Sequence, residues 1–298
     1  MSQIGFADYE RDFYSGASLD QHNHTSSHLA VNPNFLWSAR TTSGRRKPKN
    51  DDSWLAFAAG AKGSCMLLED GEHELNTHDL IFAVSDGMGG GNAGYLASSL
   101  ILEHITKVIP QTFKAAAQGF HPDYLEILDQ KVREIHSAIN ERADGDPNLK
   151  GMGATLTLGW FTPENLYIAH AGDSRMYLQR ADDTSQLTED HTFAWSKFNR
   201  GELNEREFRH HPRRSALFEV VGGGHQKIRP SVAAVPYAKG DRFMICSDGV
   251  IDGLWEKHIH SGLSRKESST SEVADALMAR AVDNAGSDDT TLIVIDVC

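Results

Sequence analysis

What most limits the fold of this chain is the way its apolar runs are grouped. From Trp54 onward they are short, they come in clusters, and Gly, Pro, Asn and Asp separate them. Trp54–Ala59 and Ser64–Leu68, split by Gly60 and Gly63, read as a hairpin. Asp79–Ser85 reads as a strand. Ala154–Phe161 and Leu166–Ala171 are strands joined by the turn Thr162-Pro163-Glu164-Asn165. Arg175–Gln179, Ser185–Thr188, Val232–Val235, Arg242–Ser247 and Thr290–Val297 continue the pattern. Helical spacing appears only in Ala93 to about Ala117, expected to bend or break near Pro110, in Pro122–Ala143 and in Ser271–Ala285. Clustered strands with short connections are not the regular alternation of a doubly wound sheet. They favour an α+β architecture of antiparallel sheets with helices on their outer faces.

Hydrophobic residues make up 40% of the 298 positions and charged residues 23%, enough to bury a sizeable core in one unit. The formal net charge of −12 argues against a nucleic-acid partner, and the only dense basic run is Arg45, Arg46, Lys47 and Lys49. Cys65, Cys246 and Cys298 are odd in number and not at CxxC spacing, so neither a disulfide framework nor a zinc knot is expected, and a reducing cytoplasm suits them. The N-terminus lacks the apolar core of a signal peptide, and no apolar run approaches membrane-spanning length. Residues 1–40 read as an extension, flexible or partly ordered at its Phe35–Trp37 end, with His22, His24 and His28 as a solvated tract. Residues 41–298 read as one catalytic domain, with a charged, irregular, flap-like insertion at about 191–225.

Acidic residues stand at the ends of the apolar runs: Asn50-Asp51-Asp52, Ser85-Asp86-Gly87, Gly172-Asp173-Ser174-Arg175, Ser247-Asp248-Gly249 and Asp288-Asp289-Thr290. An aspartate that ends a strand emerges at a sheet edge, where its carboxylate can face a shared crevice. The glycine after Asp86 and Asp248 permits a tight turn and lets a backbone carbonyl approach an ion. Any one of these aspartates is more simply a turn or cap residue. Together, without His or Cys partners, they match the oxygen donors that Mg²⁺ and Mn²⁺ take. Unrelieved, such carboxylates raise one another's pKa.

A competing motif, Gly89-x-Gly91-x-x-Gly94, follows a strand and precedes a helix as a dinucleotide fingerprint does. It is weak, because Asp86 sits at the strand end and the position about twenty residues on falls within a helix.

These segments, in this order, resemble the metal-dependent, type 2C family of serine/threonine protein phosphatases over about residues 40 to 298. FAVSDGMGGGNAGYLAS resembles the family's DGMGG segment, in a form that suggests a bacterial source. GATLTLGWFTPENLYIAHAGDSRMYL resembles its GT-strand, hairpin and GDSR block. LTEDHT and FRHHPRRSALFEVVGGG resemble its LTxDH and flap regions, DRFMICSDGVIDGL its SDG strand and SDDTTLIVI its last strand. The resemblance implies a four-layer α-β-β-α sandwich, with two mainly antiparallel sheets face to face. It implies that Asp86 bridges two Mn²⁺ or Mg²⁺ ions with the Gly87 carbonyl on one, and that Asp248 and Asp288 complete the first ion's shell. Asp51 and Asp52 act directly or through waters, and Asp173 helps to hold a possible third ion. A bridging water then attacks phosphorus in line as the serine or threonine oxygen leaves. Asp86, Asp248 and Asp288 are the residues on which catalysis is expected to rest.

The chain departs from the family at several points. Asp51 stands where Glu is usual, Asp289 where Asn is usual, and Met88 where some members carry a histidine acid. Lys47 holds the place of the phosphate-gripping Arg, with Arg46 one step earlier; either could bind phosphate, but Lys lacks Arg's bidentate fork. His191 is not expected to be catalytic. The implied partner is a phosphorylated protein, the target of a Ser/Thr kinase, met by a monomer without nucleic acid or membrane. Two other readings stand beside it: a catalytically weak or silent phosphatase-like binding module, and a hydrolase of small phosphate esters.

Overall fold

The computed structural model describes residues 32–45, 47–89, 92–117 and 123–298. Its strands are β1 (Asn34–Thr42), β2 (Asp52–Gly60), β3 (Gly63–Met66), β4 (Asp70–Glu74), β5 (Asp79–Met88), β6 (Gly153–Ala154), β7 (Leu156–Phe161), β8 (Leu166–Ala171), β9 (Arg175–Arg180), β10 (Asp183–Gln186), β11 (Val221–Gly222), β12 (Ser231–Val235), β13 (Arg242–Cys246) and β14 (Thr290–Val297). They form two sheets. One runs β10-β9-β13-β14-β1-β4. The other runs β11-β6-β5-β7-β8-β12, with β2 beside β5 and β3. The pairings are antiparallel, among them β1 with β14 and β2 with β5.

Strand alternation sorts the apolar residues into three layers of core. On β5, Leu80, Phe82 and Val84 point into the space between the sheets, where Phe35, Trp37, Ile293 and Ile295 meet them. Ile81 and Ala83 point the other way, onto helices α1 (Ala93–Ala117) and α2 (Tyr124–Asp144). Likewise Leu292 and Val294 of β14 leave the inter-sheet core for α5 (Asp248–Gly253), α6 (Glu256–Leu263) and α7 (Thr270–Asn284). The result is the expected α-β-β-α sandwich, and each fully buried Phe or Ile in it contributes about 1.5–3 kcal/mol. Among the described residues no helix is long and apolar enough to cross a membrane.

Three expectations need correction. Residues 34–40, assigned to the extension, form most of β1, an interior strand between β14 and β4. The folded unit therefore includes residues ahead of position 41. The helix from Ala93 runs on through Pro110 as one element. Pro110 forfeits one backbone bond, but burial of Ile101, Ile105 and Ile109 against the sheet holds the helix in place. Residues 191–225 are not irregular. They contain α3 (Phe193–Asn199), capped by Thr192, and α4 (Glu205–Arg209), closed by an Asn204/Glu207 capping box, and they end in β11. Ala194, Trp195 and Phe208 form a small core of their own. The helices, of seven and five residues, are too short to show a periodicity. The tract His22, His24 and His28, and Pro122, lie outside the described residues.

Asp79, at the start of β5, accepts a 2.8 Å hydrogen bond from Trp160 Nε1 in the buried layer under α2. Burial raises its pKa to about 6, against the lowering effect of that hydrogen bond. The folded state therefore holds the proton more tightly than the unfolded chain does. This group's contribution is fully present below about pH 4 and is lost as pH rises through about 6. Asp79→Asn keeps the acceptor and removes the charge. It is expected to add about 2 kcal/mol at pH 7, read as a Tm rise that vanishes at pH 4.

Candidate metal centre

The aspartates converge because the ends of different strands do. In the β2–β5 ladder Asp52 lies directly opposite Asp86. Ser247, which precedes α5, donates from Oγ to Asp52 Oδ2 at 2.7 Å and accepts from Thr291 N at 3.0 Å, binding the two sheets together at this point. Asp248 is the first residue of α5, and Asp252, four residues on, shares its face. Asp173 follows Gly172, whose φ of +116° turns the chain out of β8 beside Thr155.

Glycine is required at Gly87. A Cβ there would meet the Gly94 carbonyl at 2.1 Å and the Asp51 carbonyl at 2.7 Å. The strand end and the start of α1 thus pass each other closer than any side chain allows. The Gly87 amide donates to Asp51 O at 3.1 Å, and Asp51 Oδ1 accepts from Tyr95 N at 3.1 Å in the first turn of α1. The usual Glu of this position is therefore replaced by a shorter acid that ties its loop to a helix N-terminus, where negative charge is stabilised.

The electrostatics are those of a carboxylate cluster. Burial first, then the charges of Asp52, Asp248, Asp173 and Asp288, push Asp86 well above the ordinary carboxylate range. Burial, Asp173, Asp252 and Asp288 do the same to Asp248, while Arg214 opposes them. Burial raises Asp173 to about 7, with Asp190 adding to it and Arg214 and Arg175 opposing. Burial raises Asp52 to about 6, against hydrogen bonds from Ser247 and Thr291. Asp51 is raised by burial, with Lys47 pulling it back. Asp52 Oδ1 and Asp248 Oδ1 are buried and have no hydrogen-bond partner. A buried, bare carboxylate oxygen is costly unless a cation meets it.

Among the described residues no three acidic, His or Cys side chains stand together as a ready cage for one ion. The donor set is open. Mg²⁺ takes such a set, since it keeps several waters and is usually held by only one or two carboxylates. The residues therefore fit a hydrated divalent cation and do not fit a closed zinc site.

The two expected phosphate-binding positions fare differently. Arg46 lies outside the described residues. Lys47 Nζ is 2.6 Å from Asp288 Oδ1 and 3.0 Å from Asp289 Oδ2. Burial works against its charge, but those two partners hold it above its ordinary pKa. Asp289, the acid in place of Asn, also accepts from Gly44 N and Asp51 N, both at 2.8 Å. The Lys and Asp departures are thus partners, and together they pin the 44–51 loop. His191 is buried, with Nδ1 accepting from Gly172 N at 3.3 Å and Nε2 bonded to Ser231 Oγ at 3.0 Å, a structural placement. Gly91 of the dinucleotide-like motif lies outside the described residues.

Sequence reasoning missed Arg214 and Asp252. They form an ion pair, and Arg214, with Nε buried and unbonded, is the cation that acts on both Asp173 and Asp248. The i, i+4 spacing of Asp248 and Asp252 was a usable signal. Nothing local distinguishes Arg214 from its neighbour Arg213.

The sandwich and its acidic crevice define a phosphatase-like fold, and the comparisons agree. The pattern of the protein phosphatase 2C family matches residues 66–285, and the chain belongs to that family. It is 34% identical over 220 residues to the serine/threonine protein phosphatase PstP of Mycobacterium tuberculosis, covering 73% of this chain and 40% of that protein. It is 28% identical over 258 residues to the serine/threonine phosphatase stp of Listeria welshimeri, covering 86% and 94%. The crystal structure of the M. tuberculosis PstP/Ppp phosphatase superposes with a TM-score of 0.71 at 30% identity, covering 88% of this chain and 98% of that one. A structure of the PstP catalytic domain in complex with two manganese ions superposes at 0.69 and 28% identity, covering 89% of this chain and 99% of that one.

Proposed function

We propose that the chain hydrolyses phosphoserine and phosphothreonine in proteins with Mn²⁺ or Mg²⁺ at this crevice. The observation that carries the reading is the pair of bare, buried carboxylate oxygens on Asp52 and Asp248, set among acids that raise one another's pKa. The relatives named as serine/threonine phosphatases, and the one holding two manganese ions, support it. Asp86, Asp248 and Asp288 would hold the ions, with Asp52, Asp51, Asp173 and the Gly87 carbonyl as further or water-mediated donors, and Asp173 beside a possible third ion. When bound, such ions acidify water and neutralise phosphoryl oxygens. Asp86 and Asp248 orient the ion-binding oxygens, and the Ser247 bridge holds Asp52 to them. Arg214, ion-paired with Asp252, presents a cation from the 193–216 segment beside Asp173 and Asp248. We place the reaction in a reducing cytoplasm, which the three free cysteines support, with the product of a Ser/Thr kinase as substrate.

The test is phosphate release from phosphoserine and phosphothreonine peptides, titrated with Mn²⁺ and Mg²⁺ after chelation. Turnover should be absent with chelator and restored by either metal. Metal-dependent cleavage of an aryl phosphate without cleavage of any phosphopeptide would point to a small-ester hydrolase instead. Inactivity on both at every metal concentration would overturn the reading.

A further inference from the structure

Two adjoining cavities lie in the segment that carries α3 and α4. One, of about 440 Å³, is lined by Arg209, His210, His211 and Arg214 among others. Its neighbour, of about 560 Å³, shares His211 and Pro212 and adds Phe193, Lys197, Arg200 and Arg213. The chain is acidic overall at −12, yet between residues 197 and 214 six Lys and Arg face three Glu. The surplus is therefore local.

Five of these six line the two cavities, and they divide into two sets. Three are committed to the fold. Arg209 donates to the carbonyls of Leu254 and Asp252 and lies over the Trp255 ring, Arg214 pairs with Asp252, and Arg200 pairs with Glu202 at 2.7 Å. Two are not. Among the described residues neither Lys197 nor Arg213 is in a salt bridge, and Arg213 lies 5.7 Å from the centroid of the exposed Phe193 ring. Phe193 in turn packs edge-on to Phe218, also exposed, with centroids 5.8 Å apart. The second cavity thus combines two cations that carry no salt bridge with the ring of Phe193. Its position matters too. Arg214 in the first cavity is ion-paired with Asp252, one helical turn from Asp248, and the second cavity shares His211 and Pro212 with the first.

We propose that the second cavity is an anion subsite, in which Lys197 and Arg213 take a phosphate or carboxylate group carried by the substrate a few residues from the phosphorylated one. The inference rests on the phosphatase reading for the crevice and adds a preference for substrates with a second negative group. Lys197 and Arg213 offer N–H donors to an anion's oxygens. Phe193 offers an apolar face to the stem of the residue that bears it.

Three phosphothreonine peptides test this, differing only within four residues of the phosphate: neutral flanks, a Glu, or a second phosphoserine. Wild-type enzyme with Mn²⁺ should cleave the two anionic peptides with kcat/KM about tenfold above the neutral one, through KM. The ratio between them tells carboxylate from phosphate. Lys197→Gln with Arg213→Gln should erase the preference and leave aryl phosphate turnover and the melting temperature unchanged. Binding of the same fluorescently labelled peptides to metal-free protein, by anisotropy, reads the subsite without the chemistry. Equal treatment of all three peptides by wild type in both measurements overturns the subsite, as does a preference that survives the double substitution. Loss of aryl phosphate turnover in wild type strikes the phosphatase reading, while the anisotropy still decides the subsite.

Discussion

Asp86→Ala and Asp248→Ala should each lower kcat on a phosphopeptide by roughly 10²–10³-fold or more, the cost of removing one preorganised electrostatic partner from a reacting centre, while the fold survives. The second half of that expectation follows from the same electrostatics. Both carboxylates sit far above the ordinary range because burial and neighbouring acids disfavour their charge. A carboxylate raised in this way contributes stability at low pH that is lost as pH climbs. At pH 7, without a cation, it opposes folding. Alanine removes that opposition, so the metal-free variants should melt at or above the wild-type temperature. They should also lose the Mn²⁺-dependent stabilisation, which in wild type amounts to about 2.7 kcal/mol at a hundredfold excess over Kd and is read as a rise in Tm. Thermal melts in chelator and in Mn²⁺, beside single-turnover assays, read both halves. Near-wild-type turnover in either variant would remove this crevice as the reaction centre.

Arg175→Met should cost about 3–5 kcal/mol, the penalty for breaking a buried ion pair and leaving one charge behind. Arg175 is 2% exposed and grips Asp190 with two parallel bonds of 2.7 and 2.8 Å. It also reaches Tyr177 Oη at 2.9 Å and Glu256 Oε1 at 2.8 Å, and it faces the rings of Trp195 and Phe208. One guanidinium thus joins β9, α6 and the small core of the 193–209 helices. Its loss leaves Asp190, 4% exposed, without its partner and frees those helices from the sandwich. A drop in Tm on the order of 10 °C is expected. Adding Asp190→Asn should recover part of it, because the stranded charge is gone. A melt within a degree or two of wild type would show that the pair does not anchor the segment.

The contrast between these residues shows what is legible in a sequence. Asp86 and Asp248 announce themselves, because each ends an apolar run and is followed by glycine. Arg175 is visible as the end of a GDSR block, but its partners are not, since Asp190 and Glu256 stand 15 and 81 residues away. The strand at Asn34–Thr42 was hidden by the polar residues around it. Its interior place comes from pairing with β14, far along the chain. The helices of 193–209 were hidden by their length, and Arg214 by its likeness to Arg213.

Taken alone, the order of residues settled most of the strands, the three long helices and the antiparallel character of the sheets, and it marked the acids that stand at strand ends. Each depends on periodicity or turn chemistry, which act within a few residues. Only the tertiary structure decided which oxygens stay bare, that Lys47 is bound to Asp288 and Asp289, and that Arg214 looks onto Asp173 and Asp248. Burial and Coulomb interaction depend on distance in space, and the groups concerned come from parts of the chain that meet only once both sheets have closed on each other.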